Sequence, residues 1–483
     1  MEKQMLDTCI DEREESFIKA SDQIWAAAET RFDEYKSAEI LQNLLKEAGF
    51  SVQQGLGGID TAFVGSFGSG HPVIALLGEY DALSGLSQQS GVCEPSPIKA
   101  GGNGHGCGHN MLGTGALAAA IAVKEYLVKY PGSGGTIRYY GCPGEEGGSG
   151  KTFMARDGVF DGVDLALTWH PQTYTGIYSM RTLANFQVYF KFHGKSAHAG
   201  VAPHLGRSAL DAVELMNVGA NYLREHIIPG ARLHYAVTNT GGLSPNVVQA
   251  EAEVVYLLRA PKIKQVREIY ARVCDIAQGA ALMTGTSCEI CFNKACSDYI
   301  PNNALEKIMY ENLCSVGAPV WTEENIKTAH EFQATITPSE LENDLNIVHE
   351  LTQGKDKDIL LQLKNTPLSP VVLPYVYNAA LQTGSTDVGD VSWIVPTAQL
   401  NVACQAFGTP GHSWQNVAQG TLPAAHRGML LAAKVLARTT IDVLQNPELV
   451  QTAKKELEET LAGEKYSCPI PEKIQPSHIQ SKN

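Results

Sequence analysis

The run Gly104-His105-Gly106-Cys107-Gly108-His109-Asn110 sets a thiol and an imidazole two residues apart in a glycine-rich loop. Glycine lets backbone wrap closely around a guest, and Cys and His are soft and borderline donors suited to a zinc-like ion. Taken alone, the heptapeptide is either half of a metal site or a glycine-rich turn with an incidental histidine and a buried thiol. A second run, Gly141-Cys142-Pro143-Gly144-Glu145-Glu146-Gly147-Gly148, puts adjacent carboxylates directly after an apolar stretch. Burying carboxylates is costly unless they are paired or metal-bound. One could ligate while its neighbour activates water, and the bland alternative is a solvated acidic turn. His170 ends the apolar run at 165–168, and His412 lies in Phe407-Gly408-Thr409-Pro410-Gly411-His412-Ser413-Trp414. A lone histidine at a strand end is more often structural. Together the four elements supply Cys107, His109, Glu146, His170 and His412, enough donors for two ions sharing a bridge.

Such donors need a sheet beneath them. Short apolar runs at 61–67, 73–77, 136–140 and 165–168 are separated by glycine-rich loops and a helical run at 112–127. That is the pattern of an α/β unit with buried strands. Between 185 and 296 the order becomes strand (186–192), helix (207–225), strand (233–238), strand (247–258), helix (263–283) and strand (287–292). This β-α-β-β-α-β order is ferredoxin-like. The expected organisation is a discontinuous α/β domain, 1–184 plus 298–483, with 185–297 inserted as a lid or assembly module. Residues 15–49 read as two amphipathic helices stopping at Gly49, 303–313 and 424–436 as helices, and 399–407 as a strand. Residues 319–380, with few glycines and a polar loop at 354–358, are assigned to the α/β domain without a clear pattern of elements. The tail after Ser467, with Pro469, Pro471 and Pro476, reads as an extended or frayed end.

The chain has 483 residues, with 37 Lys and Arg against 51 Asp and Glu and a formal charge of −14. That balance argues against gripping nucleic acid or anionic membrane by bulk charge. Glu2, Asp7, Asp11, Glu12, Glu14 and Glu15 give an acidic start, unlike a secretory signal. The apolar window at 112–123 falls short of the roughly 20 residues that a bilayer crossing needs. Eleven cysteines without framework spacing fit reduced thiols. A cytoplasmic protein with no membrane span and no nucleic-acid partner is expected. Cys288 and Cys291 match C-x-x-C, but positions three apart in a strand face opposite sides, which argues against a metal or redox site.

The runs at 102–110, 142–151, 206–212 and 385–393 together resemble the dinuclear metallopeptidase family of aminoacylases, glutamate carboxypeptidases and amidohydrolases, in its amidohydrolase branch. The likeness covers nearly the whole chain. It implies a discontinuous α/β catalytic domain of that type with an inserted ferredoxin-like lid and dimerisation domain. It implies two divalent metal ions per chain, Zn or Mn, with Cys107 as bridging thiolate and His109, Glu146, His170 and His412 completing the site. Glu145 would be the general base, and His198 a lid histidine reaching the partner's site to polarise the scissile carbonyl. Asn246 and Arg259 match positions that hold substrate polar and carboxylate groups. The implied activity is hydrolysis of the amide between an acyl or aminobenzoyl group and an amino acid, p-aminobenzoyl-glutamate first. The implied assembly is a homodimer through the lid, or a hetero-oligomer with a paralogous chain. Asn110 stands where this branch usually has Asp, and Gly78-Glu79-Tyr80-Asp81-Ala82-Leu83 replaces the wider family's His-x-Asp. Asp81 and Asp387 are then expected to orient ligand histidines. The alternatives are a dipeptidase or N-acyl-amino-acid hydrolase of the same mechanism, or a supporting member of a hetero-oligomeric hydrolase. A thiol amidase using Cys107 and a nearby histidine has no need of the carboxylate pair.

Overall fold

The computed structural model describes residues 2–478. Three helices open the chain, α1 (Glu2–Asp11), α2 (Glu14–Ala27) and α3 (Tyr35–Glu47). Strands β1 (Ser51–Gln54), β2 (Phe63–Ser69) and β3 (Val73–Glu79) follow, then α4 (His109–Lys129) and β4 (Gly135–Cys142). Next come the short helices α5 (Glu145–Gly148) and α6 (Gly150–Arg156), and strands β5 (Leu165–Gln172) and β6 (Gly176–Tyr178). The middle of the chain forms β7 (Ala184–His193), α7 (Ala209–Leu223), β8 (Arg232–Asn239), β9 (Glu251–Ala260), α8 (Ile263–Thr284) and β10 (Ser287–Cys296). Helices α9 (Asn303–Val316), α10 (Glu323–Gln333), α11 (Pro338–Thr352), α12 (Lys357–Lys364) and α13 (Val388–Ser392) lead to β11 (Thr397–Ala403). The chain ends with α14 (Trp414–Gln419), α15 (Pro423–Gln445) and α16 (Pro447–Leu461).

The larger sheet has seven strands in the order β1-β2-β4-β3-β5-β11-β6. Its middle four, β4, β3, β5 and β11, are mutually parallel, and antiparallel pairs flank them on both sides. The reason is in the residues. Val73–Glu79 is buried along its whole length, as a strand covered on both faces must be. Helix α4 packs on β3 and is itself covered by α1, α2 and α15. It is long and apolar enough to cross a bilayer, but 83% of that apolar stretch is buried inside the protein, so its hydropathy reflects core packing.

The second sheet runs β10-β7-β9-β8, all antiparallel. Numbered within the insert, that order is 4-1-3-2, the ferredoxin-like topology. Helices α7 and α8 cover one face through Val213, Met216, Val266 and Val273. Strand β7 alternates buried and half-buried residues, as a strand with one core face does.

Three segments go beyond the sequence expectations. The two helices expected within 15–49 are α2 and α3, and α1 precedes them, hiding a short stripe, Leu6, Cys9 and Ile10, among charged residues. Residues 319–380 form three helices and an extended run tied to the main sheet: Asp344 accepts from Thr173 Oγ1 at 2.6 Å and from the Gly408 amide at 3.0 Å. The tail is extended but docked. Ile470 is buried, Arg156 Nη1 donates to the Ile474 carbonyl at 2.6 Å, and Tyr466 donates to Asp390 at 3.0 Å.

Candidate metal centre

Because β4, β3, β5 and β11 are parallel and adjacent, their C-terminal ends lie side by side at one edge of the sheet, where open α/β sheets place ligands. Glu145 and Glu146 follow β4, Glu79 closes β3, His170 sits near the end of β5, and His412 lies nine residues past β11. The Gly104–Asn110 stretch returns to this edge as the entry to α4, with His109 as its first residue. Two glycines are sterically required there. Gly108 has φ +75°, and a Cβ on Gly150 would lie 2.0 Å from the Pro143 carbonyl oxygen. His412 itself sits at φ +54°, held by its amide donating to Gly106 O at 2.9 Å. A non-glycine residue in that region is strained, and such strain gathers at functional sites.

The structure brings all five proposed donors together. One ligand atom from each of Cys107, His109 and His170 lies within 4.8 Å of the others, and the same holds for Cys107, Glu146 and His412. Cys107 belongs to both groups. A third group of the same kind is Glu79, His109 and Glu145. Cys107 Sγ is 3.4 Å from His170 Nε2, and His412 Nε2 is 3.3 Å from Glu146 Oε1. His109 Nε2 and Glu146 Oε1 are buried, and neither is satisfied by a well-directed hydrogen bond. Orphaned donors of this kind at the centre of a Cys, His and Glu set fit a pair of divalent ions.

The electrostatics point the same way. Burial and Glu146 push the Cys107 thiol up, but His170 and His109 outweigh both and bring it to about 6. Hydrogen bonds to Cys107 and Glu146 raise His412 to about 11. The cluster thus balances anionic donors against imidazolium protons, which bound cations would displace.

Behind the donors lies a buried clamp. Asp81 Oδ1 accepts from His109 Nδ1 at 2.9 Å and turns Nε2 toward the cluster, while Asp81 Oδ2 accepts from the Glu146 amide at 2.9 Å. Glu79 lies 3.2 Å from His109 Nε2 and 2.7 Å from Lys151 Nζ, and Lys151 reaches Asp387 at 2.5 Å. Asp387 therefore holds Lys151 rather than a histidine. Lys151 is fully buried, and nothing in its sequence setting, Gly-Ser-Gly-Lys, announces it. Asn110 is buried and staples α4 to Ser21 and to the Gly420 carbonyl. Glu145 sits beside the cluster, where burial and then the carboxylates of Glu79, Glu146 and Asp387 raise its carboxyl well above the ordinary range.

Two cavities meet at the donors. One, of about 200 Å³, runs under the sheet edge past Tyr174, Tyr178, Ile347, Gln382 and Asn401. The other, of about 640 Å³, opens toward the second sheet, where Arg259 and Lys294 line it. Arg259 Nη1 donates to Ser385 Oγ at 2.8 Å, so this residue does reach the cleft. His198 and Asn246 line neither cavity. Both are exposed in one loop cluster on the insert, where Ala199 donates to the Asn246 carbonyl and His198 Nδ1 accepts from the Gly200 and Val201 amides.

Comparison with known proteins agrees with this architecture. The chain is 53% identical over 475 residues to the B-type subunit of p-aminobenzoyl-glutamate hydrolase from Escherichia coli, covering 98% of both chains. It is 29% identical over 244 residues to the A-type subunit of the hydrolase from the same organism, covering 47% of this chain and 54% of that one. A solved Bacillus subtilis protein, described as a dinuclear metal binding peptidase from the M20 family, shares the fold with a TM-score of 0.55 at 14% identity, covering 90% of this chain and 99% of that one. Residues 75–478 match the description Peptidase family M20/M25/M40, and the chain belongs to that family.

Proposed function

We propose that this chain is a metal-dependent amidohydrolase that cleaves p-aminobenzoyl-glutamate, the substrate named for its 53% identical relative. The convergence of Cys107, His109, Glu146, His170 and His412 on one sheet edge beside Glu145 carries this reading. Cys107 is shared by both donor groups and suits a bridging position; His109 and His170 would complete one site, Glu146 and His412 the other. Two divalent ions, Zn or Mn, would supply Lewis acidity at the scissile carbonyl and lower the pKa of water. Glu145, beside the donors, would take a proton from the attacking water and deliver it to the leaving amine. Arg259 receives a substrate carboxylate.

His198 and Asn246 complete the site of a second chain, with residues 185–297 acting as lid and assembly domain on a catalytic domain of 1–184 plus 298–483. Two observations support this. Neither residue lines the two cavities at the donors of its own chain, and the insert presents an open edge, β8, with Tyr235 and Val237 exposed. Helix α7 adds Leu215, Val218 and Tyr222, spaced along one exposed stripe. The partner is a second copy of this chain or a paralogous A-type chain. Eleven unpaired cysteines favour a reducing, cytoplasmic setting.

The test is release of p-aminobenzoate from its glutamate conjugate by the purified protein, alone and with an A-type chain. Activity should vanish after dialysis against chelator and return with Mn or Zn. Full activity in chelator would contradict the proposal.

A further inference from the structure

The second sheet turns its uncovered face toward the donors with a block of six residues. Arg259, Asn185 and Cys296 lie in register across β9, β7 and β10, and Leu257, Gln187 and Lys294 form the next row. All six line the larger cavity. Two of them are cations, and their surroundings are unusual. Lys294 is only 8% exposed, yet among the described residues its side chain's sole hydrogen-bond partner is the Glu146 carbonyl oxygen at 2.7 Å. Among the described residues, the Arg259 side chain bonds only Ser385 Oγ. Among the described residues, neither cation has a carboxylate oxygen within 4.0 Å. A buried ammonium that keeps unused donors is costly unless an anion meets it there. Two such cations on one wall call for two anionic groups.

The other cavity has opposite chemistry. Tyr174, Tyr178, Ile347, Gln382 and Asn401 give it aromatic, aliphatic and amide walls with no charged side chain at that end. A volume of about 200 Å³ admits a single substituted ring. The donors stand where the two cavities join, so the scissile amide must straddle them with one half on each side.

We infer that Lys294, beside Arg259, is the residue that reads the side-chain carboxylate of the amino-acid half, completing a dicarboxylate subsite while the uncharged acyl half enters the Tyr174–Tyr178 cavity. The inference rests on the hydrolase reading above and names its specificity. Across two strand spacings and two residues, the Cα atoms are offset by about 9.5 Å and 6.5 Å, a gap that long Arg and Lys side chains close onto a five-carbon dicarboxylate. Arg259 takes the α-carboxylate and Lys294 the side-chain carboxylate, each through charge-assisted hydrogen bonds. Lys294 is thus a specificity-determining residue, and its contact with the Glu146 carbonyl couples the substrate's anchor to the carboxylate-bearing turn.

The experiment compares p-aminobenzoyl-glutamate with p-aminobenzoyl-glutamine, which differ only in the side-chain charge. The wild-type protein should favour the glutamate conjugate, and Lys294→Met should shrink that ratio of kcat/KM about 100-fold, carried by KM. An equal loss on both conjugates, or no change in the ratio, would overturn the inference in favour of a structural role for Lys294. Calorimetric titration with glutarate separates this from the hydrolase reading. Glutarate should bind the wild-type chain and bind K294M at least tenfold more weakly, with far-ultraviolet circular dichroism and metal content unchanged. If neither conjugate is cleaved but glutarate discriminates the two proteins, the hydrolase reading fails and the subsite stands. If the conjugates are cleaved but glutarate binds both proteins alike, the subsite fails alone.

Discussion

The sheet edge that gathers Cys107, His109, Glu146, His170 and His412 and the insert loop that carries His198 and Asn246 are built on opposite principles. The first is assembled within one chain: its strands are parallel and adjacent, its histidines are oriented by buried carboxylates, and Lys151 joins Glu79 to Asp387 beneath it. The second is exposed, supported by backbone amides of its own loop, and lines neither of the two cavities at the donors. Rigid preorganisation suits groups that must hold ions and a reacting water. An exposed loop on an open-edged sheet suits a group that arrives only when another chain does.

The contrast is sharpest at the proton-transfer residue. Glu145→Gln keeps the side chain's shape but removes the base, so kcat should fall about 10³–10⁴-fold while bound metal is retained. Steady-state kinetics with metal analysis checks this, and retained turnover would remove Glu145 from the chemistry. On the other side of the comparison, His198→Ala should lower kcat about 10²–10³-fold with little change in stability, because the residue is exposed. Mixing that variant with Glu145→Gln and letting protomers exchange should restore part of the activity if His198 acts on another chain. Failure to complement, with exchange verified, would return His198 to its own chain.

The clamp beneath the donors should answer in stability first. Lys151→Met leaves Glu79 and Asp387 without their shared cation, and breaking a buried pair costs about 3–5 kcal/mol. Urea unfolding of the metal-free protein should show it, and an unchanged midpoint would mean the clamp is not stabilising. The smallest effect belongs to a region remote from both. Glu306, buried and bonded by Ser179 and Tyr375, is pushed by burial from 4.5 up to about 8. The folded state then keeps a proton that the unfolded chain releases, so stability declines as pH rises from about 4.5 to about 8. Glu306→Gln should flatten that part of the thermal-stability profile, and a slope identical to wild type would contradict the assignment.

Much of the donor set was legible because its chemistry is local. Cys107 and His109 announce themselves by type and spacing, and Glu145, Glu146, His170 and His412 by following apolar strands. The antiparallel insert was equally readable, since its strands and helices switch period cleanly. Lys151 and Lys294 were not, because a lysine in sequence looks solvated and only the fold shows that both are buried. The docking of the tail escaped for a related reason. Its anchors, Tyr466, Ile470 and Ile474, stand among prolines and polar residues in a segment that forms neither helix nor strand, so only the surface they meet gives them meaning.

The most direct test is to titrate the metal-free chain with Zn or Mn by calorimetry and count equivalents in wild type and in Cys107→Ala. Two equivalents with proton release in the wild-type chain, and weakening of both in the variant, are the predicted result. A wild-type chain that binds no ion, or a variant that still binds two with undiminished affinity, would contradict a shared thiolate at the centre of the site.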